Sequence, residues 1–197
     1  MILLKKLTIQ DVQTQQIIDT RLQHDYQSGS IKGAINIPYA KLKKVAPPLL
    51  DSQRPLIFIL ENEDKEVIQL LEQQTNNPPS HQVDGYLLVT EIPAELLVKT
   101  ETISAHDFLA NETDYILLDV RDQDIVTKPA PEKNLVTISL ENLADEYDKL
   151  DPEKEIYTLC GSGNSATTAA SFLNKQGRKA TVIEGGATAI QEELRKK

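Results

Sequence analysis

Leu159-Cys160-Gly161-Ser162-Gly163-Asn164-Ser165-Ala166 holds the only cysteine of the chain. The apolar run Ile156–Leu159 leads into it and reads as a buried strand. The small-residue run Ala166–Phe172 leads out and reads as a helix packed close to its neighbours. Between them stand two glycines, two serines and an asparagine. A strand–loop–helix turn of this kind points successive backbone N–H groups toward the start of the helix. That geometry binds anions and stabilises a thiolate at the head of the loop. Cys160 is therefore a candidate nucleophile. The alternative is a buried, inert thiol; the position of Cys160, at a strand end before a glycine-bearing turn, favours the nucleophile.

Working outward, the strand before the loop has a counterpart. Ile116-Leu117-Leu118 closes on Asp119-Val120-Arg121, and Ile17-Ile18 closes on Asp19-Thr20-Arg21, 100 positions earlier. Leu56–Leu60 matches Ile156–Leu159 at the same offset. Two matched pairs at one offset argue for an internal duplication. Each unit then spans about 95 residues, the size of a small domain. The expected boundaries are 1–97 and 98–197, with Pro93–Thr100 as the linker. Inside the first unit, Gly29–Pro38 reads as a turn and a short extended segment. Pro47-Pro48 reads as a break. Val67, Ile68, Leu70 and Leu71 read as one face of a helix that stops at Asn76-Asn77-Pro78-Pro79, and Gly85–Thr90 reads as a third strand. In the second unit, Ser104 is a candidate N-cap for a helix through Leu109. Asp122–Asn134 reads as a polar loop, Leu140–Leu150 as a helix, Ala180–Ile183 as a strand, and Ala187–Leu194 as the last helix. Strands alternating with helices indicate an α/β fold with mainly parallel sheets.

The bulk composition narrows the function. The chain has 197 residues and a net charge of −9. The acidity is concentrated in the second half, with 11 basic against 18 acidic side chains over 101–197. Nucleic-acid binding needs a positive footprint, and none is visible. The acidity reads as solubility. A single cysteine suits a reducing compartment. Met1–Leu7 is too short and wrongly ordered for a signal peptide, and no stretch approaches the ~20 apolar residues of a membrane span. The expectation is a cytoplasmic protein with no membrane partner. His24, His81 and His106 match no metal spacing, so neither metal nor cofactor is expected.

The order of motifs resembles the rhodanese (sulfurtransferase) domain, and the duplication resembles a tandem two-domain rhodanese. The first unit carries the early motif: Ile17–Arg21, Tyr26, then Gly29–Pro38, with Ser30 where the family usually has His. The second carries the late motifs: Tyr157–Ala170 and Val182-Ile183-Glu184-Gly185-Gly186. In the first unit the nucleophile position falls on Leu60 or Glu61, neither of which can accept sulfur, and Glu61-Asn62-Glu63-Asp64 is acidic where an anion cradle is wanted. The resemblance thus implies an inactive first domain beside a Cys160-bearing second one. In the second unit the polar 122–134 loop replaces the glycine-alanine turn, either as a mobile segment or as the edge of the pocket mouth.

The resemblance implies sulfur transfer through a Cys160 persulfide, with a small anionic donor such as thiosulfate, or a persulfidated protein, as partner. Gly161, Ser162, Gly163, Asn164, Ser165 and Ala166 would bind the donor through backbone and side-chain groups. Many rhodaneses have Arg where Ser165 stands. A neutral donor there implies weaker thiosulfate binding, because charge-assisted hydrogen bonds are roughly twice as strong. No other basic residue lies in the loop; Lys175, Arg178 and Lys179 read as remote and solvated. A cysteine phosphatase is excluded, since Ala166 stands where its Arg would be and Leu159 where its His would be. Asp119 and Arg121 are candidate supports for the site or a structural ion pair. Gly185 and Gly186 either let backbone approach the loop or simply turn the chain into a helix. The rival reading is a non-catalytic or oxidant-sensing rhodanese-like module that binds a partner.

Overall fold

The computed structural model of the protein describes residues 3–76 and 81–197. It divides into two compact units, Met1–Lys99 and Thr100–Lys197. In the first, β1 (Gln16–Asp19), α1 (Gln23–Ser28), β2 (Ser30–Ile31), β3 (Ile35–Asn36), α2 (Leu42–Leu49) and β4 (Leu56–Leu60) follow in order, then α3 (Lys65–Asn76), β5 (Val83–Leu88) and β6 (Leu97–Val98). The second runs β7 (Thr102–Ile103), α4 (Ala105–Leu109), β8 (Tyr115–Asp119), β9 (Leu135–Thr137), α5 (Leu143–Glu146) and β10 (Glu155–Leu159), then α6 (Asn164–Lys175), β11 (Ala180–Ile183) and α7 (Gly186–Arg195).

Each unit is built on one parallel sheet, ordered β3-β1-β4-β5 in the first and β7-β11-β10-β8-β9 in the second. The central strands read as continuous apolar runs because both sheet faces are covered. All five residues of β4 are buried, as are all five of β8. One face of the second sheet packs Phe108, Leu117, Leu159, Ile183 and Ile190 together. Phe108, Tyr115 and Tyr157 meet edge to face at 5.3–5.4 Å between ring centres. Against that sheet lies α6, whose small residues Ala166, Ala169 and Ala170 are fully buried. A helix of Ala, Ser and Thr can sit closer to a sheet than one of Leu and Phe, which is what brings its first turn up to the cysteine strand.

The registers carry the duplication. Asp19 pairs with Ile59 and Asp119 with Leu159, so both sheets keep the 100-residue offset. Thr20 N–H donates to Ile59 O as Val120 N–H donates to Leu159 O.

Several local expectations are corrected. Pro47 and Pro48, read as a break before the Leu56–Leu60 strand, lie inside α2, which ends one residue after them at Leu49. They fall in its last turn, where the helix is about to end, and burial of Leu42, Ala46 and Leu49 holds the helix in place. The Leu140–Leu150 helix is three short pieces: 3-10 turns at Leu140–Asn142 and Tyr147–Lys149 flank the four-residue α5. Part of the expected linker is structured, since β6 pairs antiparallel with β2 and belongs to the first unit. The edge strand β9 carried no clear sequence signal. The expected stop at Asn77-Pro78-Pro79 lies outside the described residues. Among those described, no helix is long and apolar enough to cross a membrane, and no cluster of three or more His, Cys, Asp or Glu is placed to hold a metal ion.

Candidate active site

Cys160 follows β10, the middle strand of the second sheet, at its carboxyl end. Open parallel sheets bind ligands at that edge. The thiol is 4% exposed, and its Sγ accepts a hydrogen bond from Gly163 N–H at 3.0 Å. Gly163 reaches this position with φ +106°, in the left-handed region. It is also the residue that precedes α6, and having no side chain it leaves the helix start uncapped. Asn164, Ser165 and Ala166 are the first three helical residues, whose N–H groups have no carbonyl within the helix to bond. The loop therefore presents one N–H to the sulfur, and the uncapped helix start follows directly after it with its positive end.

The other loop side chains take different places. Ala166 is fully buried, so only its N–H could serve a ligand. Its carbonyl accepts from Thr158 Oγ1 at 2.9 Å, which pins the first turn of α6 to β10. Asn164 Nδ2 donates to Ser162 Oγ at 3.4 Å. Gly161 and Ser162 are exposed at the rim.

The two glycines divide the tasks the sequence allowed: Gly185, at φ +71°, turns the chain into α7, and Gly186 lets backbone approach the loop. A Cβ on Gly186 would lie 2.3 Å from Cys160 O and 2.8 Å from Gly161 C and O. The contact is sealed by Ala187 N–H donating to Cys160 O at 2.8 Å and Thr188 N–H to Gly161 O at 3.2 Å. The loop is thus gripped by the carbonyls of Cys160 and Gly161.

Asp119 and Arg121 form a two-pronged ion pair. Arg121 Nε donates to Asp119 Oδ1 at 2.9 Å and Nη2 to Oδ2 at 2.7 Å. The remaining Nη1 donates to Lys128 O at 2.6 Å, and Gln191 Nε2 donates to Pro129 O at 3.2 Å. These bonds hold the 122–134 loop over the cysteine loop. The cavity between them, about 390 Å³, is bordered by Arg121–Asp122 and Ile125–Lys128 on one side and by Gly161, Ser162, Ala187 and Thr188 on the other. Lys128 is the wall residue that sequence reading passed over. It lies 32 positions before Cys160 in a stretch with no periodicity, and only the fold places it there. Arg178, by contrast, is held at the far end of α6: its Nη1 donates to Leu150 O at 2.8 Å and its guanidinium lies over Tyr147, so it is not simply solvated.

The first unit shows the same frame with other chemistry. The shared register puts Leu60, not Glu61, in the place of Cys160. Asp19 and Arg21 repeat the ion pair, with Ser30 Oγ donating to Asp19 Oδ2 at 2.7 Å and Arg21 Nη2 to Gly29 O at 2.7 Å. Asp64, immediately before α3, accepts from Glu66 N–H at 2.9 Å and Val67 N–H at 3.3 Å. A carboxylate of the chain itself thus occupies the helix start that is open in the second unit. Glu61 leans on Arg21 at 3.4 Å, and Glu63 accepts from Tyr86 OH at 2.9 Å.

Comparison with known proteins agrees with this frame. The rhodanese-like domain family matches residues 3–77 and again 104–193. A Bacillus subtilis (strain 168) protein named "Putative sulfurtransferase YtwF" is 27% identical over 97 residues, which is 49% of this chain and 92% of that protein. Among solved structures, a rhodanese-related protein from Thermoplasma volcanium is 28% identical, covering 47% of this chain and 92% of its own, with a TM-score of 0.44. A rhodanese-like domain protein from Staphylococcus aureus is 20% identical, covering 46% and 91%, with a TM-score of 0.41. With both of its segments matched, the chain belongs to the rhodanese-like domain family and carries two such domains in tandem.

Proposed function

We propose that the protein is a sulfurtransferase whose second domain carries sulfane sulfur on Cys160. The thiolate attacks the outer sulfur of a donor such as thiosulfate. A new S–S bond forms on Cys160, the donor's S–S bond breaks, and sulfite leaves with its electron pair. An acceptor nucleophile then takes the terminal sulfur and returns the Cys160 thiolate. Thiolate and persulfide are both anions, so the loop must meet negative charge at each stage. The observation that carries this reading is the Gly163 N–H aimed at Sγ beside an uncapped helix start. Asn164, Ser165 and Ala166 supply further donors for the persulfide or for the oxygens of the donor. A persulfidated protein is the second candidate donor, and a lone free thiol fits a cytoplasmic setting.

The first domain takes no part in the chemistry in this reading, since Leu60 stands where the thiol would be. The test is intact mass after exposure to thiosulfate and to a persulfidated protein. A gain of one sulfur, about 32 mass units, that disappears in Cys160→Ser is the expected result. A mass unchanged with both donors overturns the proposal and leaves a rhodanese-like binding module.

A further inference from the structure

We infer that Lys128 is a substrate-binding residue of the cavity that borders the cysteine loop at Gly161 and Ser162, the cationic anchor for an anionic group on the molecule that reaches the thiol. The inference rests on the sulfur-transfer reading of the same cavity and names the charge that its loop lacks. Ser165 is neutral, and Cys160–Ala166 contains no cation. Arg121 borders the cavity, but its guanidinium is bound twice by Asp119 and once by Lys128 O. Its charge is compensated by Asp119, and these bonds use three of its five N–H donors. Lys128 forms no ion pair among the described residues. Its Nζ donates to Thr188 Oγ1 at 3.0 Å, and Thr188 Oγ1 in turn donates to Gly161 O at 3.2 Å.

That chain of bonds ties the ammonium to the first residue after the cysteine. An ammonium has three donors, and Thr188 uses one. The acidic residue bordering the cavity is Asp122, whose Oδ1 accepts from Asp124 N–H at 3.0 Å within its own turn. Lys128 is thus an uncompensated cation on the wall of a cavity that leads to the cysteine loop, in a chain of net charge −9. Local positive charge within an acidic protein selects anions at that point. The ligand class is a small anion with an electrophilic or sulfane atom, such as thiosulfate.

Because Cys160 is the only thiol, its alkylation reads the cavity's charge directly, without relying on sulfur transfer. Iodoacetate and iodoacetamide deliver the same carbon to the thiol, one as an anion and one neutral. In Lys128→Ala at low ionic strength, the iodoacetate rate falls about tenfold, as expected for loss of one charge-assisted hydrogen bond. The iodoacetamide rate stays within about twofold of wild type by the same reasoning, since that reagent has no charge for Lys128 to hold. Lys128→Arg keeps the anion rate, and salt weakens the wild-type preference. The KM for thiosulfate rises in Lys128→Ala while kcat holds. Equal slowing of both reagents, no slowing, or a wild-type Cys160 that neither reagent modifies overturns the Lys128 assignment. A wild type that prefers iodoacetate through Lys128 yet gains no sulfur from any donor instead overturns the sulfur-transfer reading and leaves the anion anchor standing.

Discussion

Replacing Gly186 with Ala should unlock the cysteine loop, and the cost can be worked out in advance. Gly186 has φ +58°, where a side chain costs roughly 1–2 kcal/mol. The new methyl would also meet Cys160 O at 2.3 Å and Gly161 at 2.8 Å. Those are backbone atoms and cannot swing aside, so the loop must move away. Doing so breaks Ala187 N–H to Cys160 O and Thr188 N–H to Gly161 O, each worth about 1 kcal/mol. The expected destabilisation of the second domain is therefore about 3–4 kcal/mol. Gly177→Ala is the matched comparison: φ is +81° there, but nothing lies within 4 Å of the added carbon, so only the ~1–2 kcal/mol of strain applies. Urea unfolding of the full chain, followed by far-UV circular dichroism and fitted as two domains, measures both. Sulfur uptake by Cys160 should fall in Gly186→Ala and persist in Gly177→Ala. Equal stability losses in the two variants would refute the claim that this close approach holds the loop.

Other outcomes follow from the same structure. Asp119 is 1% exposed and carries both prongs of Arg121; Asp119→Asn should cost about 3–5 kcal/mol, because it leaves a guanidinium underpaired. It should also release the 122–134 loop to trypsin at Lys133, and a loop as resistant as wild type would contradict the anchoring role. Leu60→Cys in a Cys160→Ser background should gain no sulfur from thiosulfate, because Asp64 already fills the first domain's helix start; a gain in mass would show that the thiol alone is sufficient. Tyr86 is pushed up to about 12, first by burial and then by Glu63, while burial raises Tyr115 and Tyr157. Absorbance titration should show these phenols ionising late. The folded value of Tyr86 lies above the unfolded ~10, so its contribution to stability is intact below pH ~10 and lost as pH rises through about 12. Tyr86→Phe should remove that alkaline loss.

What the sequence made legible was whatever repeats or has a period. The Asp-x-Arg strands, the two apolar central strands and the Gly-Gly turn could be paired by offset alone, and with them came the α/β class and the position of Cys160. Ser104 read as a cap because its oxygen needs only the N–H three residues on, which Asp107 supplies. The misses are places where tertiary packing overrides a local signal. Pro47-Pro48 is a breaker by local chemistry, but the buried face of α2 outweighs it for a last turn. Leu140–Leu150 has a helical spacing that the chain uses in fragments. The choice between Leu60 and Glu61 could not be made without the strand register, since one gap shifts it. Lys128 had no signal at all: its role depends on a loop folding back across 32 positions.

The residue before the loop helix differs between the two copies, Asp64 in one and Gly163 in the other, and the difference has a thermodynamic consequence. A good cap is worth about 1 kcal/mol, so the second copy forgoes stability that the first retains. An anion seated on the open donors would restore it by mass action, raising the melting temperature of the second domain and leaving the first where it was. The first copy is in that sense an internal reference for the second: what a side chain does permanently in one, a bound anion would do reversibly in the other.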